Sequence, residues 1–143
     1  MPRLKKIMVV DDEPGIRNIL FDVLSGEGFS VTLAEDGLDS LKHLRKRSFD
    51  LLITDINMPR LDGIGLLKKM KKAGRKERLI VMTGGAFDRT GIEKEIPQVV
   101  FHLKKPFYVK HLLDAVHSAL SIGPKKSEPV NTEQRNKRAV HAI

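Results

Sequence analysis

Apolar and polar positions along this chain follow two rhythms in turn. Short apolar runs occupy Ile7–Val10, Phe29–Ala34, Asp50–Thr54, Leu79–Thr83 and Val99–Leu103. Runs of that length, bounded by charged residues, glycine or proline, predict strands. Between them the apolar residues recur with helical spacing. Ile16, Ile19, Leu20, Val23 and Leu24 keep the i, i+3, i+4 pattern of a helix with one apolar face. Leu38, Leu41 and Leu44 make a narrower stripe, as do Ile64, Leu67 and Met70. Val109, Leu112, Leu113, Val116 and Leu120 make the last one. Between Thr83 and Val99, Gly84-Gly85 and Pro97 leave room for one short helix near Asp88–Glu95.

Five strands alternating with five helices predict an α/β domain built on a doubly wound parallel sheet. Right-handed crossovers put helices on both faces. The five-stranded order of this kind is 2-1-3-4-5, the flavodoxin-like arrangement. Its binding site lies beyond the carboxyl ends of the strands, where strands 1 and 3 flank the switch point. The domain is expected over residues 1–121, because Ile122-Gly123-Pro124 stops the last helix. Residues 122–143 read as a basic, disordered tail, too polar and short for a core of their own.

The net charge of +8 adds little to this picture. Residues 1–120 hold 21 Lys/Arg and 16 Asp/Glu, and residues 121–143 hold 5 and 2, so the surplus is spread along the chain. It is read as solvated surface in preference to a nucleic-acid site. The run Lys68, Lys69, Lys71, Lys72, Arg75, Lys76 and Arg78 is read as the wet side of a helix. The chain has no cysteine, which excludes disulfides, thiol catalysis and cysteine metal sites. The basic N-terminus lacks the apolar region of a secretory signal, and no apolar stretch reaches membrane-spanning length. A soluble cytoplasmic protein without a membrane partner is the expectation.

Chemistry concentrates where three predicted strands end. Val9-Val10-Asp11-Asp12-Glu13, Leu52-Ile53-Thr54-Asp55-Ile56-Asn57 and Lys104-Lys105-Pro106-Phe107 each pass from apolar to charged or turn residues. If those strands are neighbours, three aspartates and a lysine meet. Carboxylates so close need a cation to stay ionised together. Asp55 is the candidate nucleophile, since a carboxylate can attack a phosphoryl group and hold it as an acyl phosphate. Mg²⁺ suits one or two carboxylates plus phosphate oxygens, with Mn²⁺ as the alternative ion. Asp11 and Asp12 are candidate ligands beside Asp55, and the Asn57 main-chain carbonyl can add an oxygen. Lys105 can neutralise a phosphate oxygen, and the Thr83 hydroxyl can donate to it. Gly84 would leave room for that phosphate. Singly, these residues have plainer readings. Asp12 and Glu13 before Pro14 suit a helix N-terminus, and Thr83 suits a strand end. Lys104 competes with Lys105, but strand alternation lets only one face the acids.

Asp11-Asp12, Asp55, the Asn57-Met58-Pro59…Asp62-Gly63 loop, Thr83 and Lys105-Pro106-Phe107 stand in the order and near the spacing of a known family. Together they resemble the receiver domain of two-component response regulators, in a stand-alone, chemotaxis-regulator-like form. The resemblance implies a phosphoryl group delivered to Asp55 by a histidine kinase or phosphotransfer protein, with Mg²⁺. It implies that the chain catalyses only its own phosphorylation and dephosphorylation. It also implies a downstream protein, or a phosphorelay, reached through the surface of the fourth helix, fifth strand and fifth helix. The family's switch pairs the threonine, here Thr83, with an aromatic residue three before the lysine. That position is His102 here. Ile96-Pro97-Gln98-Val99 replaces the usual Gly-Ala before the fifth strand. No acid stands two residues beyond Asp55 or Thr83, where Asn57 and Gly85 sit, so self-dephosphorylation is expected to be slow to moderate. Three other readings compete with this one. An aspartate phosphohydrolase of the haloacid dehalogenase type wants a second acid where Asn57 sits. A receiver-like module that binds partners without phosphorylation is the main alternative. A DNA-binding regulator would work through the basic tail.

Overall fold

In the computed structural model, residues 3–85 and 89–121 are described. The strands are β1 (Lys6–Val10), β2 (Ser30–Ala34), β3 (Leu51–Asp55), β4 (Arg78–Thr83) and β5 (Val99–Lys104). The helices are α1 (Pro14–Gly26), α2 (Gly37–Lys46), α3 (Gly63–Lys72), α4 (Arg89–Glu95) and α5 (Val109–Ser121). All strand pairs are parallel and the order is β2-β1-β3-β4-β5. The expected doubly wound sheet is therefore present. The tail expected over residues 122–143 lies outside the described residues.

The central strands are apolar between their polar ends because both of their faces are covered. On one face Met8, Val10, Leu52, Leu79 and Val81 pack with Leu44, Leu66, Leu67, Met70, Ile92 and Ile96 of the α2–α4 side. On the other, Ile7, Val9, Leu51, Ile53, Ile80 and Met82 pack with Leu20 and Leu24 of α1 and with Leu112, Val116 and Ala119 of α5. Two helical stripes differ from expectation. Leu38 is exposed, and Gly37, Ser40 and Leu44 form the buried line of α2. In α3 both Leu66 and Leu67 are buried and Ile64 only partly, so the buried face is wider than the narrow stripe.

Local chemistry sets the helix starts. Pro14 opens α1, where its missing N–H costs nothing. Asp36 caps α2 by accepting from the Asp39 N–H at 2.9 Å, and Asp62 caps α3 by accepting from the Gly65 N–H at 2.8 Å. The β4–β5 ladder shifts register, pairing Leu79 with Val99 but Ile80 with Phe101, so Val100 is an inserted residue. Simple alternation therefore fails at Val100, which packs on the α1–α5 side together with Phe101. Alternation resumes at His102, which lies opposite Val81 and so on the α4 side. The Ile96-Pro97-Gln98 connection is seated in the structure. Ile96 is buried, and the Gln98 carbonyl accepts from the Leu79 N–H at 2.9 Å.

The basic run around α3 is not all solvated face. Arg75 is half-buried and donates from Nε and Nη2 to Glu77, at 3.1 and 2.6 Å. It also donates to the carbonyls of Leu44 and Arg47, both at 3.0 Å. Glu77 is buried and accepts from the Phe49 N–H at 3.0 Å. One ion pair thus ties the end of α2 to the entries of β3 and β4, at the opposite end of the sheet from the carboxylates.

Candidate functional site

Parallel pairing brings the acids together. Val10 is paired with Thr54, so Asp11 and Asp12, which follow β1, stand beside Asp55 at the end of β3. Thr83 closes β4. The chain leaves β5 at Lys104, and the Lys105 N–H donates to the Thr83 carbonyl at 2.7 Å. Lys105 therefore lies one residue past the strand, not within it. Its Nζ reaches Asp11 Oδ2 at 2.7 Å and Asp55 Oδ2 at 3.1 Å. Lys104 is exposed, so the choice between the two lysines falls to Lys105.

Asp11 and Asp55 are buried and Asp12 is exposed, and one carboxylate oxygen from each lies within 4.8 Å of the others. Burial pushes the Asp11 carboxyl above its usual range, and the Asp55 charge adds to this. The hydrogen bonds from Lys105 and the Glu13 N–H oppose the rise. Burial pulls Lys105 down, but hydrogen bonds and charges from Asp11 and Asp55 outweigh it and hold the ammonium above its usual value. Two buried carboxylates and one lysine leave negative charge beside exposed Asp12. A hard cation with oxygen ligands fits that set.

The Asn57 N–H donates to Asp55 Oδ1 at 3.2 Å, which fixes one carboxylate oxygen and leaves the other toward Lys105. The Thr83 hydroxyl is engaged locally, with Gly85 N and O both at 3.3 Å. A Cβ at Gly84 would meet no atom within 4 Å and would project into open space. Gly63 is a different case. A Cβ there would collide with the Asp55 carbonyl, so the β3–α3 loop can close under Asp55 only with glycine at that position. His102 lies opposite Val81, on the α4 side of β5.

Sequence reasoning missed two basic residues near the site. Arg17 donates from Nη1 to the Asp11 carbonyl at 2.6 Å. Arg60, in the β3–α3 loop, donates from Nε to Asp36 Oδ2 at 2.5 Å. On the page of sequence, Arg17 is one polar residue of an amphipathic helix and Arg60 one charge in a loop, so neither carried a signal.

Comparison with known proteins agrees with this geometry. Residues 7–117 match the response regulator receiver domain family. Sporulation initiation phosphotransferase F of Bacillus subtilis (strain 168) is 37% identical over 119 residues, covering 82% of this chain and 95% of that protein. DNA-binding transcriptional regulator NtrC of Escherichia coli (strain K12) is 33% identical over 128 residues. That match covers 89% of this chain but 27% of NtrC, so the chain spans only about a quarter of that longer regulator. The structure of response regulator protein TrrA from Thermotoga maritima, in complex with Mg(2+)-BeF, aligns with a TM-score of 0.73 at 31% identity. It covers 82% of this chain and 100% of that one. Among the described residues, no helix is long and apolar enough to cross a membrane. The sheet order, the acids at its switch point and the match over residues 7–117 lead to one conclusion: the chain belongs to the response regulator receiver domain family of two-component signalling.

Proposed function

We propose that the chain accepts a phosphoryl group on Asp55 from a histidine kinase or phosphotransfer protein. The observation that carries this reading is the Lys105 ammonium shared between Asp55 and buried Asp11 at the sheet's carboxyl edge. An Asp55 oxygen attacks phosphorus, the bond from phosphorus to the donor's imidazole nitrogen breaks, and that nitrogen keeps the electron pair. An acyl phosphate is left on Asp55. Phosphoryl transfer needs mainly positioning and charge neutralisation. Asn57 N–H fixes the carboxylate, and Lys105 is placed to meet a phosphate oxygen. Asp11, Asp12, Asp55 and the Asn57 main-chain carbonyl would hold Mg²⁺, which supplies charge for the phosphate oxygens. The Mg²⁺ in the TrrA complex supports this choice of ion over Mn²⁺.

Thr83 and His102 form the proposed switch. The Thr83 hydroxyl leaves its weak contacts with Gly85 and turns to the phosphate, and His102 repacks beside it on the α4 side. The signal then passes through the α4–β5–α5 surface to a downstream protein, or the phosphate moves on in a relay. The chain acts on itself and on no metabolite. The receiver unit extends over residues 1–121, and this reading places it in the cytoplasm, where such donors work.

The test is intact-protein mass after incubation with acetyl phosphate, in Mg²⁺ and in EDTA. A gain of one phosphoryl group is expected with Mg²⁺ and none with EDTA. Equal gain in both would contradict the metal's role. No gain in either, repeated with a phosphorylated histidine phosphotransfer protein, would leave a binding module whose acids are structural.

A further inference from the structure

Arg60 has a φ of +65°, and among the described residues no other non-glycine residue has a positive φ. A left-handed backbone at such a residue is unfavourable and persists only where its surroundings hold it. Arg60 has such surroundings. Its Nε donates to Asp36 Oδ2 at 2.5 Å, its Nη2 also contacts that oxygen, and Nη2 reaches Glu35 Oε1 at 3.5 Å. The Asp36 carboxylate is almost wholly buried, so its charge needs a partner. Burial would push Asp36 up, but the Asp39 N–H and the Arg60 guanidinium outweigh it and hold the carboxyl below the usual range. Beside this pair the Gly37 N–H donates to the Leu61 carbonyl at 3.0 Å. A Cβ at Gly37 would collide with that carbonyl, so the loop lies directly against the start of α2.

Besides the Leu61–Gly37 bond, the loop is held at two further points. At its far end Gly63 N–H donates to the Ile56 carbonyl at 2.9 Å, under Asp55. At Arg60 it is bound to Asp36, just past β2. Asn57 lies between those fixed points, separated from Arg60 only by Met58 and Pro59. Asp11, at the same rim, is tied to the end of β2 through its N–H and the Ala34 carbonyl at 3.2 Å. Arg60 therefore links the loop that carries Asn57 to the structure that carries Asp11.

We propose that Arg60 is a positioning residue for divalent-cation binding: its ion pair with Asp36 holds the β3–α3 loop so that Asn57 can join the acids. This inference rests on the metal reading given above. Partners around a metal site orient its ligands, and losing one costs typically ten- to a hundredfold in affinity.

The test is Mg²⁺ affinity of the unphosphorylated chain by isothermal titration calorimetry, well below Tm, for wild type, Arg60→Ala, Arg60→Lys and Asp12→Asn. Arg60→Ala is expected to weaken binding about tenfold and to shift the Asn57 amide resonance, with Arg60→Lys recovering part of the loss. An affinity within twofold of wild type in Arg60→Ala, even with a lowered Tm, would make Arg60 merely structural and overturn the proposal. Wild type that binds no Mg²⁺, or binds as Asp12→Asn does, would overturn the metal reading and this inference with it. Weakening by Asp12→Asn but not by Arg60→Ala would overturn this inference alone.

Discussion

Replacing Lys105 with alanine is expected to slow phosphoryl uptake from acetyl phosphate by about a hundredfold or more at saturating Mg²⁺. The figure follows from what one well-aimed charge or donor contributes at a site where charge develops, about 10²–10³ in rate. Lys105 is well aimed, because its ammonium sits between two carboxylates at 2.7 and 3.1 Å and burial limits its screening. Its loss has a second effect on Asp11. Burial and the Asp55 charge already push that carboxyl up, and Lys105 opposes them. Without the ammonium the Asp11 carboxyl rises further, so protons compete better with the cation. The Mg²⁺ dependence of Lys105→Ala should therefore steepen below neutral pH relative to wild type. Stopped-flow uptake with mass detection measures both effects. A rate within fivefold of wild type would mean that Lys105 is a structural neutraliser of Asp11 and no more.

Glu77→Ala is expected to cost about 3–5 kcal/mol of stability, the scale for breaking a buried ion pair from one side. The Glu77 side chain is 2% exposed, and its removal orphans the Phe49 N–H and strips Arg75 of its countercharge. Arg75 would still hold the Leu44 and Arg47 carbonyls, but with an uncompensated, half-buried charge. Replacing both partners with apolar residues, Arg75→Met with Glu77→Leu, should recover much of the loss, because no charge is then left unpaired. Urea denaturation of wild type and the two variants measures this. A loss below about 1 kcal/mol in Glu77→Ala would show that water compensates the pair. The pair lies at the opposite end of the sheet from Asp55, so the folded fraction should take up phosphate at the wild-type rate.

These two side chains differ in how far the sequence disclosed them. Lys105 was legible because the residue before Pro106 follows an apolar run and pairs in order with Asp11, Asp12, Asp55 and Thr83. Four of the five strands, β1, β3, β4 and β5, deliver chemistry at their last residue or just past it, so for them strand periodicity and site position carry the same information. The five strands were legible from their apolar runs, and their order from the usual five-stranded doubly wound arrangement. Arg75 and Glu77 were not. Their partners are the carbonyls of Leu44 and Arg47 and the N–H of Phe49, and nothing in a residue's identity records a backbone group so distant in sequence. Arg75 accordingly read as one more charge in a basic run. Arg60 was hidden for a similar reason, since its left-handed backbone and its contact with Asp36 exist only once α2 and the β3–α3 loop are packed together. The inserted Val100 escaped because a register shift leaves the apolar pattern of β5 unchanged and alters only which face each residue takes.

The most direct measurement locates the phosphoryl group. Wild type and Asp55→Asn would be phosphorylated in Mg²⁺, reduced with borohydride to trap the acyl phosphate, and mapped by peptide mass. Asparagine keeps the shape of Asp55 and removes both its charge and its nucleophilicity, so the variant should fold and fail to react. If Asp55 is the acceptor, wild type carries the reduced residue at position 55 and the variant carries none. A trapped residue at Asp11 or Asp12 in wild type, or undiminished uptake in Asp55→Asn, would contradict it.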